Sequence, residues 1–449
     1  MSFLVVHGGT IVSPDGMHRA DVLVRDGKIA QVGPDVGSAA QMVDATDLLV
    51  LPGGVDTHVH LMDPGDTTRE DFPSGTAAAA ARGVTTIVEH THGHPIRQVS
   101  DLAEKRAHLE GRSNVDFGLA AHTWPDMLEH IPELWRGGVT FFKIFTCTTH
   151  GVPGLGSADL LAALRAMSTE GASCLIHCED EAITATAERA LKASGRSDNG
   201  ILTAWRNREA ELAATAAAAS LVSVTGAHAT IAHVSSPAVA GVVADTAKRG
   251  ADIAAEACPQ YFALREDEVL DHGALRKFTP PARARTDADE DEMWEMVRNG
   301  TYGHFSTDHA PSTLTQKSEG DIWTVHFGLP GLDTTFPFLI DAAISGRIAM
   351  SDVARLYSEA PARRYGLYPT KGHLGEGADA DFVLVDPTAE WHVTNADLLS
   401  KAAWSPFAGR TFRGRAVATY LRGDEIARYG EAHAMREGQF VPGPGAGVA

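Results

Sequence analysis

Between about residue 52 and residue 370 the chain alternates short apolar runs with alanine-rich stretches, and this alternation constrains its fold more than any other feature. Eight strand candidates are present: GVDTHVH, TTIVEH, VDFGLAAH, TFFKIF, ASCLIHC, ATIAHV, DIAAEAC and HFSTDHA. Among the stretches between them are SGTAAAAARG, SADLLAALRAMSTEG and ELAATAAAASLVSVTG, each made of good helix formers and closed by glycine. Eight alternating units predict an α/β fold, a closed parallel (β/α)8 TIM barrel over residues 52–374.

The two ends have a different texture. Residues 3–51 contain LVVHGGTIV, DVLVRDGKIAQVG and LLVLPG, short alternating runs broken by Asp-Gly and Gly-Gly, which is an antiparallel signature. The same pattern returns in ADFVLVDP, EWHV and AVATYLRGDEIARYG. Residues 1–51 and 375–435 are therefore expected to pair into one small β-sandwich built from both termini. A chain of 449 residues exceeds what one hydrophobic core ordinarily holds, so a barrel plus a smaller domain also suits the length. The last stretch, 436–449 with VPGPGAGVA, reads as a flexible tail or as a strap on a neighbouring subunit.

Charge and leader content exclude several classes. With 38 Lys and Arg against 58 Asp and Glu, a net charge of −20, the chain lacks the basic clusters that hold phosphate backbones, so no nucleic-acid partner is expected. The opening MSFLVVHGGTIVSPDG is not a basic leader followed by a long apolar run, and no apolar window of about twenty residues occurs, so neither a membrane nor export is expected. A cytoplasmic enzyme is the expectation. Four cysteines, Cys147, Cys174, Cys178 and Cys258, are too few for a disulfide framework and read as reduced, mostly buried thiols.

Active sites of (β/α)8 barrels lie at the C-terminal ends of the strands, so the residue types at those ends carry the chemistry. The first strand ends in His58-Val59-His60, where a period of two turns both imidazoles to one side, as a chelating pair requires. The fourth carries Lys143, the fifth ends at His177, the sixth at His233 and the eighth at Asp308. A lone histidine at a strand end is most often just a satisfied polar residue, and this chain has 21 of them. The convergence of six such groups from five strands is what points to metal ions. Lys143 stands inside FFKIF, where an unpaired ammonium would cost several kcal/mol. Either a carboxylate such as Asp308 pairs with it, or CO2 converts its amine into an anionic carbamate able to bridge two cations.

These residues sit within PGGVDTHVHLMDPG, GVTTIVEH, FFKIF, IHCED, AHVSS, ACPQY, KFTPPAR, STDHAP and GLPGLDTTFP. By them the chain resembles the cyclic amidohydrolases: hydantoinase, dihydropyrimidinase, allantoinase and dihydroorotase. The resemblance implies that His58, His60 and Asp308 bind the more buried of two divalent ions, that His177 and His233 bind the other, and that carbamylated Lys143 and a hydroxide bridge them. Two ions sharing one water bring its pKa toward neutrality, which supplies the nucleophile for ring opening. Asp308 is a metal ligand, a proton carrier to the leaving nitrogen, or both. Zinc suits these ligands, and manganese, cobalt or iron are also accepted by such a set. The resemblance further suggests a homotetramer.

Departures from the family pattern bear on the ring. Dihydroorotases usually carry Arg where Met62 stands and an Asn-containing segment where this chain has His90-Thr91-His92-Gly93, so dihydroorotate is disfavoured unless His92 or His94 supplies positive charge. Hydantoinases commonly have Tyr where Thr148 stands. Thr279 replaces a residue whose backbone usually pins the cyclic amide, and Pro330 and Gly331 are expected to supply another main-chain contact. The balance favours an allantoinase-like hydrolase, with hydantoinase, dihydropyrimidinase, cyclic imide hydrolase and dihydroorotase activities as rivals. Cys147 and His150 either line the pocket or pack their loop, His92, His94 and His122 form a further site or only pocket polarity, and Trp124 and Phe145 either stack on a planar ring or belong to the core. A non-catalytic hydantoinase-like scaffold is the reading of another class, and it conflicts with six filled ligand positions. A deaminase or phosphotriesterase would share the barrel without these flanking motifs.

Overall fold

The computed structural model describes residues 3–434 and 437–447; residues 1, 2, 435, 436, 448 and 449, at the outer edges of the sequence-based boundaries, lie outside the description. A strand forms at each of the eight apolar runs, β1 (Gly54–Val59), β2 (Val84–Glu89), β3 (Asp116–Leu119, resumed at Ala121–His122), β4 (Phe142–Phe145), β5 (Ser173–His177), β6 (His228–Ile231), β7 (Ile253–Ala257) and β8 (Tyr302–Phe305), although β8 ends before Asp308, which lies in the loop beyond it. Neighbours pair in parallel from β1 through β8. The ring closes between β8 and β1, where the Thr307 amide donates to Asp56 Oδ1 at 3.1 Å and the His60 amide to the His309 carbonyl at 2.8 Å.

Inward-facing side chains fill the lower barrel: Val55, Val88, Ala120, Phe141, Leu175 and Ala232, closed from below by Tyr365 and Leu367. This layer is apolar and packed, so the only place for chemistry is above it, at the strands' C-terminal ends. Helices return the chain outside. Ser157–Glu170 and Arg208–Thr225 both end on a left-handed glycine, Gly171 at φ 66° and Gly226 at φ 68°, a conformation in which a Cβ would be strained.

The two chain ends form a pair of sheets beside the barrel. One holds strands 3–7, 21–25, 28–33 and 41–44; the other joins 10–13, 16–19 and 49–52 to 382–392, 411–421, 424–428 and 431–432. Leu4, Val22, Ile29, Val50, Phe382, Leu384 and Tyr420 pack between them. Among the described residues no helix is long and apolar enough to cross a membrane.

The expectation of a flexible tail over 436–449 does not hold for residues 437–447. The Phe117 amide donates to the Gln439 carbonyl, the Val441 amide to the Phe117 carbonyl, and the Gly443 amide to the Gly138 carbonyl, so the segment is strapped to the chain's own barrel. Its Pro and Gly content, which suggested disorder, instead lets backbone approach backbone: a Cβ at Gly443 would stand 2.1 Å from the Val139 carbonyl oxygen.

A buried ion cluster joins strap, barrel and terminal sheets. Lys371 Nζ meets Asp379 and Asp381 at 2.8 Å each and also Asp116 at the start of β3, while Arg422 and the Gln439 amide reach Asp116 as well. The three carboxylates stand close enough to hold a cation, and the ammonium of Lys371, 1% exposed, is that cation. We expect Lys371→Met to cost about 3–5 kcal/mol, because it leaves buried carboxylates uncompensated. Urea unfolding would measure this, and an unchanged midpoint would contradict it.

Candidate active site

At the barrel mouth the polar side chains are almost entirely out of water, so each must be explained by a partner or a ligand. His58 Nδ1 lies 2.8 Å from Glu256 Oε2, and His60 Nδ1 lies 3.0 Å from the His90 carbonyl. Each acceptor calls for a proton on Nδ1, which leaves the Nε2 lone pairs facing Asp308 Oδ1 at 3.2 and 3.6 Å. On the other side His177 Nε2 lies 2.8 Å from Glu179 Oε2, and its Nδ1 stands 3.0 Å from His233 Nε2. A carboxylate or carbonyl behind each of these three rings is the arrangement that orients imidazoles toward metal ions.

Lys143 Nζ stands between the two pairs, 3.1 Å from His58 Nε2 and 1% exposed as a residue. Among the described residues no carboxylate oxygen lies within 4.0 Å of it, so pairing with Asp308 does not account for its burial. Burial lowers its pKa to about 8 despite Glu256 and Asp308 nearby. Burial likewise lowers His60 to about 3 and His233 well below its ordinary value, so these rings are neutral at pH 7. Burial raises Asp308, the one of the six with appreciable side-chain exposure, 13%.

Glu179 responds differently. Burial pushes it up, but Arg206, at 3.2 Å, and hydrogen bonds involving His177 and Thr279 outweigh burial and hold it at about 2. His233 and Asp308 also adopt left-handed backbone, at φ 35° and 51°, strain of the kind that concentrates at functional positions.

These groups face one cavity, lined by His58, His60, Lys143, His177, His233 and Asp308 together with His92, Phe145, His150, Thr279, Ala310, Phe327 and Gly328. Of the residues expected to meet substrate, His92 and Thr279 line it. Met62, Thr148, Pro330 and Gly331 do not. Met62 is buried with its amide on Thr91 Oγ1, Thr148 is exposed on the β4 loop, and the Gly331 amide is committed to His309 Nδ1 at 3.0 Å. The cavity meets Phe327 and Gly328 instead, a few residues earlier on that loop.

His150 and Phe145 line the cavity, whereas Cys147 turns away to Arg206 Nη1 at 3.3 Å and Trp124 stacks with Arg97. His92 Nδ1 meets His122 Nε2 at 3.1 Å, and His94 is exposed apart from them. Burial holds His92 well below its ordinary pKa, so it does not supply the positive charge that would replace the missing arginine.

Reading the strand ends missed Glu256, Glu179 and His90. Glu256 was within reach, since a glutamate inside the apolar run DIAAEAC needs an explanation as Lys143 does. His90 was within reach as well, since it closes the second apolar run TTIVEH as His60 closes the first.

A (β/α)8 barrel whose mouth gathers neutral imidazoles, a buried amine and carboxylates belongs to the class built to hold divalent cations in catalysis. The sequence pattern of the amidohydrolase family matches residues 49–426, and the chain belongs to that family. It is 36% identical to an allantoinase of Rubrobacter xylanophilus over 98% of this chain and 97% of that protein. It is 32% identical to an allantoinase of Solibacter usitatus with the same coverage of each. Among solved structures, an L-hydantoinase (dihydropyrimidinase) from Arthrobacter aurescens superposes with a TM-score of 0.93 at 29% identity, over 98% of this chain and 100% of that one.

The four cysteines are free and buried. Burial pushes Cys147 and Cys174 up to about 12 and raises Cys178 and Cys258 too. Because the thiolate is the reactive form, iodoacetamide at pH 8 is expected to leave all four unmodified in the native protein and to label them after denaturation, as intact mass would show.

Proposed function

We propose that this chain hydrolyses a carbon–nitrogen bond of a small cyclic amide, most nearly as allantoinases do, using two divalent ions at the barrel mouth. The observation that carries this is the placement of His58, His60, Lys143, His177, His233 and Asp308 around one cavity with no carboxylate on Lys143. In this reading His58, His60 and Asp308 hold the more buried ion and His177 and His233 the other. Lys143, whose lowered pKa leaves a fraction of neutral amine to react with CO2, would serve both ions as its carbamate. Ions so placed supply an acidified water and a Lewis acid for the amide carbonyl.

The chain's own residues do the rest. Glu256 and Glu179 fix the tautomers and orientations of His58 and His177. Phe145 and Phe327 give a flat ring apolar walls, and Thr279 anchors Glu179 through its hydroxyl at 2.7 Å. Asp308, made more basic by burial, takes a proton at a carboxylate oxygen and returns it to the departing ring nitrogen. Zinc is the metal this set suits first, with manganese, cobalt or iron as substitutes, and the assembly we expect is a homotetramer. Hydantoinase or dihydropyrimidinase activity is the second reading, favoured by the superposition on the Arthrobacter aurescens structure.

The deciding experiment supplies the purified protein with zinc and bicarbonate and follows ring opening of allantoin, hydantoin, dihydrouracil, dihydroorotate and simple cyclic imides. Turnover of allantoin above the others supports the first reading, turnover of hydantoin or dihydrouracil the second, and no ring opening by a metal-loaded protein would refute both. Lys143→Ala is expected to lose the metal pair and activity together; two bound ions and normal turnover would refute the bridge. Asp308→Asn should keep at least one ion and lose about 100-fold or more in kcat, the typical contribution of a positioned acid–base group. A wild-type rate in that variant would remove Asp308 as proton carrier.

A further inference from the structure

We propose that His90 is a further imidazole ligand of the more buried ion, making with His58 and His60 a three-histidine set. This rests on the reading that His58, His60 and Asp308 hold that ion. His90 follows β2 directly and continues its inward face two residues beyond Val88, a member of the packed barrel interior. It has no solvent exposure, and neither of its ring nitrogens has a hydrogen-bond partner. A fully buried imidazole with both nitrogens unanswered calls for a ligand, because buried polar groups are otherwise paired.

The surroundings identify that ligand as a cation. One nitrogen from each of His58, His60 and His90 lies within 4.8 Å of the other two, and the His90 ring centroid is 4.7 Å from that of His58 and 4.4 Å from that of His60. Bonds of about 2.0–2.1 Å to one ion would close such a spread with small ring rotations. His58 and His60 already have their Nδ1 atoms committed to Glu256 and to the His90 carbonyl, so only their Nε2 lone pairs remain to be shared. Other rings beside His90 are Phe141, His122 and His92, at centroid distances of 5.5, 6.2 and 6.5 Å, and none is hydrogen-bonded to it. His90 therefore positions one ligand through its carbonyl and adds another through its ring.

The consequence is an asymmetric pair of sites, with the inner ion held by one more imidazole than the six-residue set provides. The test is chelator competition on the zinc-loaded full-length protein, with His90→Phe and His90→Gln compared with wild type. Wild type should release its ions in two separated steps, and both variants should weaken the tighter step by at least about 10-fold, the lower end of what disturbing a ligand's support costs. Unchanged affinity for both ions in folded variants would overturn the proposal. A wild-type protein that holds no ion would overturn it together with the ligand assignment beneath it. If both variants fail to fold, zinc X-ray absorption on the wild type decides: an average of about 2.5 imidazoles per ion supports His90, and about 2 excludes it.

Discussion

Glu256 stands on β7 with no solvent exposure, its Oε2 2.8 Å from His58 Nδ1 and accepting the His233 amide at 2.8 Å, while His304 Nε2 stands 3.7 Å from its other oxygen. One carboxylate thus ties β1, β6 and β8 together immediately beneath the cavity. Burial opposes its charge, but His58 and His304 outweigh burial and keep it well below the ordinary carboxylate range. A fixed anion at this depth orients His58 with its lone pair upward and lets the backbone at His233 take its left-handed turn. Without it, the two histidine pairs would have no common frame.

The same logic of burial explains why the mouth is so rich in neutral imidazole. His60, His90, His92, His122 and His233 are all held below their ordinary pKa chiefly by desolvation. Where a full charge is needed, at Glu179, a guanidinium from Arg206 accompanies it. At the opposite end of the barrel the Lys371 cluster holds three carboxylates around an ammonium, which joins the terminal sheets and the C-terminal strap to β3. The chemistry at the mouth is therefore carried on a barrel braced from below.

Much of this was legible in the chain itself. The alternation of apolar runs with alanine-rich segments determined eight strands, because strand and helix periods differ and a parallel pair requires a crossover. The strand ends also exposed His58, His60, Lys143, His177, His233 and Asp308, since each interrupts or closes an apolar run with a group that burial would otherwise penalise. The substrate contacts were harder. Met62, Thr148, Pro330 and Gly331 occupy the right loops, but loop backbone direction decides whether a residue meets the cavity, and period does not extend past a strand's end.

Sequence by itself determined the fold class and the donor types, because hydrophobic periodicity and misplaced polar residues are local properties of the chain. Only the tertiary structure decided which donors share a space. It brought His90 against His58 and His60, placed Phe327 and Gly328 at the cavity in place of Pro330 and Gly331, and turned a Gly-Pro tail into a strap on β3. Each of these depends on distances between residues far apart in the chain, set by barrel closure and loop packing.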